Sequence, residues 1–131
     1  MIDAQQVPPM PTPEDAICHA LRDVVKTVNA VATVTYTNSG HTSMSVARMR
    51  PTAPILSITP NVNTARRLAL VWGIHSTIGK DVGSVDEMVA AAVAAAVREG
   101  FAKAGERVTV SAGLPFGESG TTNLLHIATV K

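Results

Sequence analysis

The groups of this chain that could do chemistry are concentrated in one run, Thr37-Asn38-Ser39-Gly40-His41-Thr42. Gly40 allows the backbone to turn with φ > 0. A helix starting directly after such a turn presents N–H groups that have no partner within the helix. With the hydroxyls of Thr37, Ser39 and Thr42, those N–H groups could cradle a phosphate. The imidazole of His41 would add partial positive charge near neutral pH. The same residues also suit an ordinary helix cap and tight turn with a solvated histidine, and spacing alone does not choose between the two. A second run, Gly113 to Thr122, supplies Gly117, Gly120, Thr121 and Thr122. Its glycines permit either close backbone approach to a ligand or a tight reversal between strands. No G-K-[ST] follows them, so this is not a P-loop and no lysine reaches a terminal phosphate.

Other chemistry is poorly represented. Cys18 is the only cysteine, which excludes an internal disulfide and suggests a thiol buried as a small hydrophobe. The four histidines, His19, His41, His75 and His126, have no metal-ligand spacing. Asp86 and Glu87 look like catalytic acids until Ser84-Val85-Asp86-Glu87 is read as a capping box. Arg66 and Arg67 lie on a predicted helix with Leu68, Leu70 and Val71 as its apolar face. They form either an inter-subunit or interdomain contact or a solvated face. Trp72 is expected to pack at that helix end. The formal net charge of +1 and only four aromatic residues argue against nucleic acid. No basic field or apolar run of membrane-spanning length argues for a bilayer, and no leader is evident in the first twelve residues. The expected compartment is the cytoplasm.

These candidate loops need a scaffold. The chain has 131 residues, 46% of them hydrophobic, which suits one globular domain. Residues 1–12 carry Pro8, Pro9 and Pro11 and read as an extended arm or linker. The expectation is a domain, 13–131, cut from something longer. Thr12-Pro13-Glu14-Asp15 signals a helix start, with Ile17, Leu21, Val24, Val25 and Val28 as one helical face. Strands are predicted over 29–37, 54–59, 73–79, 106–112 and 123–130. Helices are predicted over 42–50, 61–71 and 84–99, the last closed by Gly100. Strands alternating with helices imply a parallel sheet covered on both faces. The last two strands follow each other without a helix, which makes one of them antiparallel. The predicted fold is a five-stranded, mostly parallel (mixed) sheet in a three-layer α/β/α domain. Ligands bind such sheets outside the carboxyl ends of the strands, where Thr37 to Thr42 falls.

Several segments, in order, resemble the C-terminal regulatory domain of pyruvate kinase, bacterial type. They are Ser39-Gly40-His41-Thr42, Arg50 to Ile55, Thr59-Pro60, Ala65 to Gly73, Val85 to Met88, Gly105 to Val108, Ala112 to Pro115 and Gly120 to Asn123. The resemblance covers about Pro13 to Lys131, and the arm before it is similar to the family's link between catalytic barrel and C-terminal domain. It implies a five-stranded mixed sheet with helices on both faces. It also implies a domain that transfers no phosphoryl group itself and is inactive alone. In the parent glycolytic enzyme, phosphoenolpyruvate, ADP, magnesium and potassium are held on a separate barrel and lid, so this domain needs no cofactor.

The implied tasks are binding a phosphorylated allosteric effector, contact with the catalytic barrel, and holding the tetramer. The implied effector residues are Thr37, Asn38, Ser39, Gly40, His41 and Thr42, with Gly117 to Gly120 closing the pocket. A purely structural assembly domain with a vestigial pocket is the alternative. Members activated by fructose 1,6-bisphosphate often carry basic residues where this chain has Asn38 and His41. They also use a Trp/Arg segment where Ile74 to Gly83 offers only Lys80. Glu118 would repel a second phosphate. A sugar monophosphate or AMP is therefore the expected effector, if there is one. The last strand, 124–130, is expected at a sheet edge open to an isologous contact.

Overall fold

The structure, a computed structural model, describes residues 13–37, 40–80, 82–112 and 124–131, with side chains from 16 onward. Its elements run α1 (Pro13–Val28), β1 (Ala32–Tyr36), α2 (His41–Arg48), β2 (Ile55–Thr59), α3 (Val62–Leu68), β3 (Ile74–Ile78), α4 (Val85–Arg98), β4 (Arg107–Ala112) and β5 (Leu124–Thr129). The sheet order is β3-β2-β1-β4-β5. All pairs are parallel except β4–β5. The mixed five-stranded α/β fold is the expected one, and β5 lies at an edge as predicted.

Side chains of β1, β2 and β4 are buried along almost their whole length, because both sheet faces are covered. Period-two alternation assigns them to two cores. On one face, Val34, Tyr36, Leu56, Ile58, Val108 and Val110 pack with Met88, Ala92, Ala95 and Ala96 of α4. On the other, Ile55 and Ile74 pack with Cys18, Leu21 and Val25 of α1, Val46 of α2 and Leu68 of α3. Three helices therefore share one face and a single alanine-rich helix covers the other. Cys18 is buried and in no disulfide, as expected of it.

The three-helix face carries an unusual load of hydroxyls. Thr33, Thr35, Ser57, Thr109 and Ser111 are all fully buried there. Ser43 of α2 bridges two of them, with its Oγ 2.6 Å from Thr35 Oγ1 and 2.8 Å from Ser57 Oγ. This chain of hydroxyls ties the first turn of α2 to β1 and β2. Among the described residues, Thr33 Oγ1, Thr109 Oγ1 and Ser111 Oγ have no partner.

Three local expectations need correction. Trp72 does not pack at the end of α3. It is 91% exposed, and neighbouring Leu70 is 88% exposed. The reason is that α3 ends at Leu68, in place of the predicted 71, and the chain leaves in turns before β3. The apolar face of that helix is accordingly Thr64 and Leu68, with Leu70 outside it. The capping box at α4 is only half as predicted. Ser84 Oγ does accept from Glu87 N, at 3.1 Å. The Glu87 carboxylate, however, reaches one residue further back and accepts from Gly83 N at 2.8 Å.

Candidate functional site

The chain passes from β1 to β2 to β3 on one side, then crosses to β4 on the other side of β1. The sheet therefore reverses its direction of winding between β1 and β4, and crevices at such switch points are where open α/β sheets take ligands. In the register of that pair, Thr35 lies opposite Ser111, so both strands end at the same level. The two loops singled out from sequence leave from these adjacent ends.

The first loop is partly described. Thr37 continues β1, and its N–H donates to Ile58 O at 3.0 Å. Its hydroxyl oxygen accepts from Gly40 N at 2.8 Å, which leaves the hydroxyl hydrogen to donate elsewhere. Gly40 has φ 93° and is the N-cap of α2, with no side-chain cap. A residue with a Cβ disfavours that conformation. The predicted turn leading directly into a helix is therefore present. His41 is exposed at the first position of α2, and Thr42 behind it is 5% exposed. Thr37, Gly40, His41 and Thr42 are thus brought together. Asn38 and Ser39 lie outside the described residues, as do Gly117, Gly120 and Glu118.

The electrostatics of α2 suit an anion. Its first turn contains no acid and its last turn carries Arg48. The positive end of its dipole is therefore not neutralised from within the helix, whereas α4 carries Asp86 and Glu87 in its first turn.

One neighbour was not foreseen. A Cβ built on Gly40 would lie 3.4 Å from Arg67 Nη2, 3.3 Å from Leu68 Cδ2 and 3.5 Å from Thr64 Cγ2. The flank of α3 therefore packs against the turn and brings a guanidinium to it. From sequence, Arg67 was either a partner contact or a solvated face. The available signal was its helical spacing from Thr64 and beside Leu68, the two buried positions of α3. The local cause is clear. Asn61 caps α3, accepting from Asn63 N at 2.9 Å and Thr64 N at 3.2 Å, and Leu68 anchors it at 1% exposure.

A second polar cluster lies elsewhere. His75 Nε2 is 2.8 Å from Glu99 Oε1, and Arg98 Nε is 3.3 Å from Glu99 Oε2. Phe101 meets the His75 ring edge-on at 5.4 Å. The hydrogen bonds from His75 and then Arg98 hold the Glu99 carboxyl below its ordinary range. The set ties β3 to the end of α4 and has the character of a surface ion pair. Among the described residues, no group of three His, Cys, Asp or Glu could hold a metal ion. None of the described helices is long and apolar enough to cross a membrane.

Comparison with known proteins names the fold's relatives. Residues 15–128 match the family described as pyruvate kinase, alpha/beta domain. The pyruvate kinase of Methylorubrum extorquens is 43% identical over 127 residues, covering 97% of this chain and 27% of that protein. That of Geobacillus stearothermophilus is 44% identical over 113 residues, 86% of this chain and 19% of that protein. That of Clostridium acetobutylicum is 39% identical over 114 residues, 87% of this chain and 23% of that protein. The chain thus spans roughly a quarter or less of the length of these relatives. With residues 15–128 matching that family and these relatives covering most of the chain, the chain belongs to the pyruvate kinase family and carries its C-terminal alpha/beta domain.

Proposed function

We propose that this chain is the regulatory and oligomerisation part of a pyruvate kinase, and that it binds a phosphorylated small-molecule effector at Thr37 to Thr42. The parent enzyme transfers a phosphoryl group from phosphoenolpyruvate to ADP in glycolysis, in the cytoplasm. In this reading the transfer chemistry, with its magnesium and potassium, belongs to the catalytic barrel that this domain contacts. These residues alone are inactive. One observation carries the effector reading. The loop after β1 turns at a left-handed Gly40 into a helix whose N-terminus has neither a side-chain cap nor an acid, beside the switch point of the sheet. By resemblance to the family, Asn38, Ser39, Gly117 and Gly120 belong to the same proposed site. A single phosphoryl group, as in a sugar monophosphate or AMP, matches the modest positive charge.

The test is a calorimetric titration of the chain with AMP, ribose 5-phosphate, glucose 6-phosphate and fructose 1,6-bisphosphate. Saturable binding of a monophosphate, lost in Ser39→Ala and Thr42→Ala, is the expected result. Silence across the panel would leave the assembly reading.

That second reading rests on a different surface. β5 is an edge strand, with Ile127 44% exposed. Between it and α4 runs an apolar groove of about 740 Å³, lined by Val89, Val93, Val97, Ala128 and Val130 among others. An edge strand beside an apolar groove suits an isologous contact in the tetramer. Sedimentation of the chain measures it directly, and a monomer at all concentrations that still binds a monophosphate would count against it.

A further inference from the structure

We propose that Arg67 supplies the cation of the effector site, gripping one phosphoryl group between its guanidinium and the first turn of α2. The inference rests on the effector reading above and adds to it a residue from a different element. The position is set by packing. Thr64 and Leu68 are buried on the flank of α3 that meets α2, and both lie within 3.5 Å of the place a Gly40 Cβ would occupy. Arg67 leaves the helix beside Thr64, about 60° around the axis, and its Nη2 comes to 3.4 Å from the same point. Arg66 precedes it by about 100° around the helix axis and is exposed, away from the buried pair.

The chemistry follows from the shape of the guanidinium. Its planar fork gives two parallel N–H donors to the oxygens of one phosphoryl group, where an ammonium acts as a point charge. The first turn of α2 itself carries no carboxylate to repel a phosphoryl group. One guanidinium and one helix dipole, worth about half a positive charge, come close to balancing a single phosphate dianion. Two phosphoryl groups would exceed them.

A buried polar group without a partner among the described residues lies at the end of the neighbouring strand, and Thr33 and Thr109 on the same face share that state. Ser111 is one residue from the carboxyl end of β4 and paired with Thr35, whose hydroxyl is tied to Ser43 of α2. The Ser111 hydroxyl is fully buried and has no partner among the described residues. Buried hydroxyls in that state are commonly satisfied by an ordered water.

The experiment is calorimetry on the full chain with ribose 5-phosphate, and with ribose as the probe lacking a phosphoryl group. Four proteins are compared: the wild type, Arg67→Gln, Arg67→Lys and Arg66→Gln. Loss of a charge-assisted hydrogen-bonding partner predicts a weakening of about tenfold to a hundredfold in Arg67→Gln. Arg67→Lys should recover part of this, and Arg66→Gln should change affinity by less than about threefold. Ribose should not bind to any of them. The salt dependence of binding should flatten in Arg67→Gln and stay steep in Arg67→Lys. Melting temperatures report any effect on folding separately from binding, and the lysine variant keeps the test decisive if the glutamine variant unfolds. Equal binding of ribose 5-phosphate by wild type and Arg67→Gln overturns the role of Arg67 and leaves the effector reading in place. Failure of the wild type to bind any of ribose 5-phosphate, AMP and glucose 6-phosphate overturns that reading and this inference together.

Discussion

Replacing Ser43 by Ala should cost far more stability than the loss of one oxygen suggests. Ser43 is fully buried, and its hydroxyl links Thr35 Oγ1 at 2.6 Å to Ser57 Oγ at 2.8 Å. Deleting it leaves two buried hydroxyls without a partner. Each orphaned polar group costs about 1–3 kcal/mol, and neutral hydroxyls belong to the lower half of that range, so the sum is about 3 kcal/mol. For a domain between the small and the large calorimetric classes, one kcal/mol corresponds to about 3–5 °C in Tm. The expected fall is therefore about 9–15 °C, measured by thermal or urea unfolding followed by circular dichroism. The decisive comparison is the triple variant Thr35→Val, Ser43→Ala, Ser57→Ala. It removes the whole chain of hydroxyls and leaves no orphan, so it should lie within about 1 kcal/mol of the wild type. The order is thus inverted: three substitutions cost less than one. Either of two results would refute the reasoning. One is a cost below about 0.5 kcal/mol for Ser43→Ala, the usual scale of an unremarkable surface change. The other is a triple variant at least as unstable as the single one.

Three further outcomes are expected. A Cβ added at Gly79 would fall 2.4 Å from Ile58 Cγ2, inside the core, so Gly79→Ala should destabilise by about 1–3 kcal/mol, with a neutral result in urea unfolding excluding the clash. Tyr36 is the only tyrosine, and burial raises its hydroxyl pKa despite the opposing charge of Arg98. Spectrophotometric titration should find it ionising above free tyrosine, and stability should be full at neutral pH and decline as pH rises past the free tyrosine value towards the folded one; ionisation at the free value would sink this. Glu99 is held low by hydrogen bonds from His75 and Arg98. Its contribution is therefore present above the ordinary carboxylate range and is lost as pH falls through the folded value. In carbon NMR titration, His75→Ala should move the Glu99 midpoint upward, and an unmoved midpoint would show that the pair does not form in solution.

The legible parts of this protein are those encoded by short-range pattern. The order of helices and strands followed from period 3.6 against period 2, together with the breaks at Pro51, Gly73 and Gly100. The antiparallel last pair followed from the missing helix between β4 and β5. The turn at Gly40 into α2 was readable because only a left-handed residue suits it. The match to pyruvate kinase came from the order of several segments, since no single one of them is specific.

Tertiary structure decided what lies next to what. Leu70 and Trp72 look like core residues by type, yet α3 stops at Leu68 and leaves them in water. Residue type states a preference for burial but supplies no neighbour to bury against. Alternation did not reveal that Thr33, Thr35, Ser57 and Ser43 would share one dry seam, because a threonine in a strand suits either a wet or a covered face. Arg67 is 27 positions from Gly40 in sequence, and no local pattern links them. They meet only because α2 and α3 pack on the same face of the sheet, against a common core. The sequence by itself determined the elements and the turn, which depend on backbone conformation and on neighbours within a few residues. The cation beside that turn, and the hydroxyls beneath it, were decided by the packing of helices on the sheet, since side chains far apart in sequence are brought together only when the core closes.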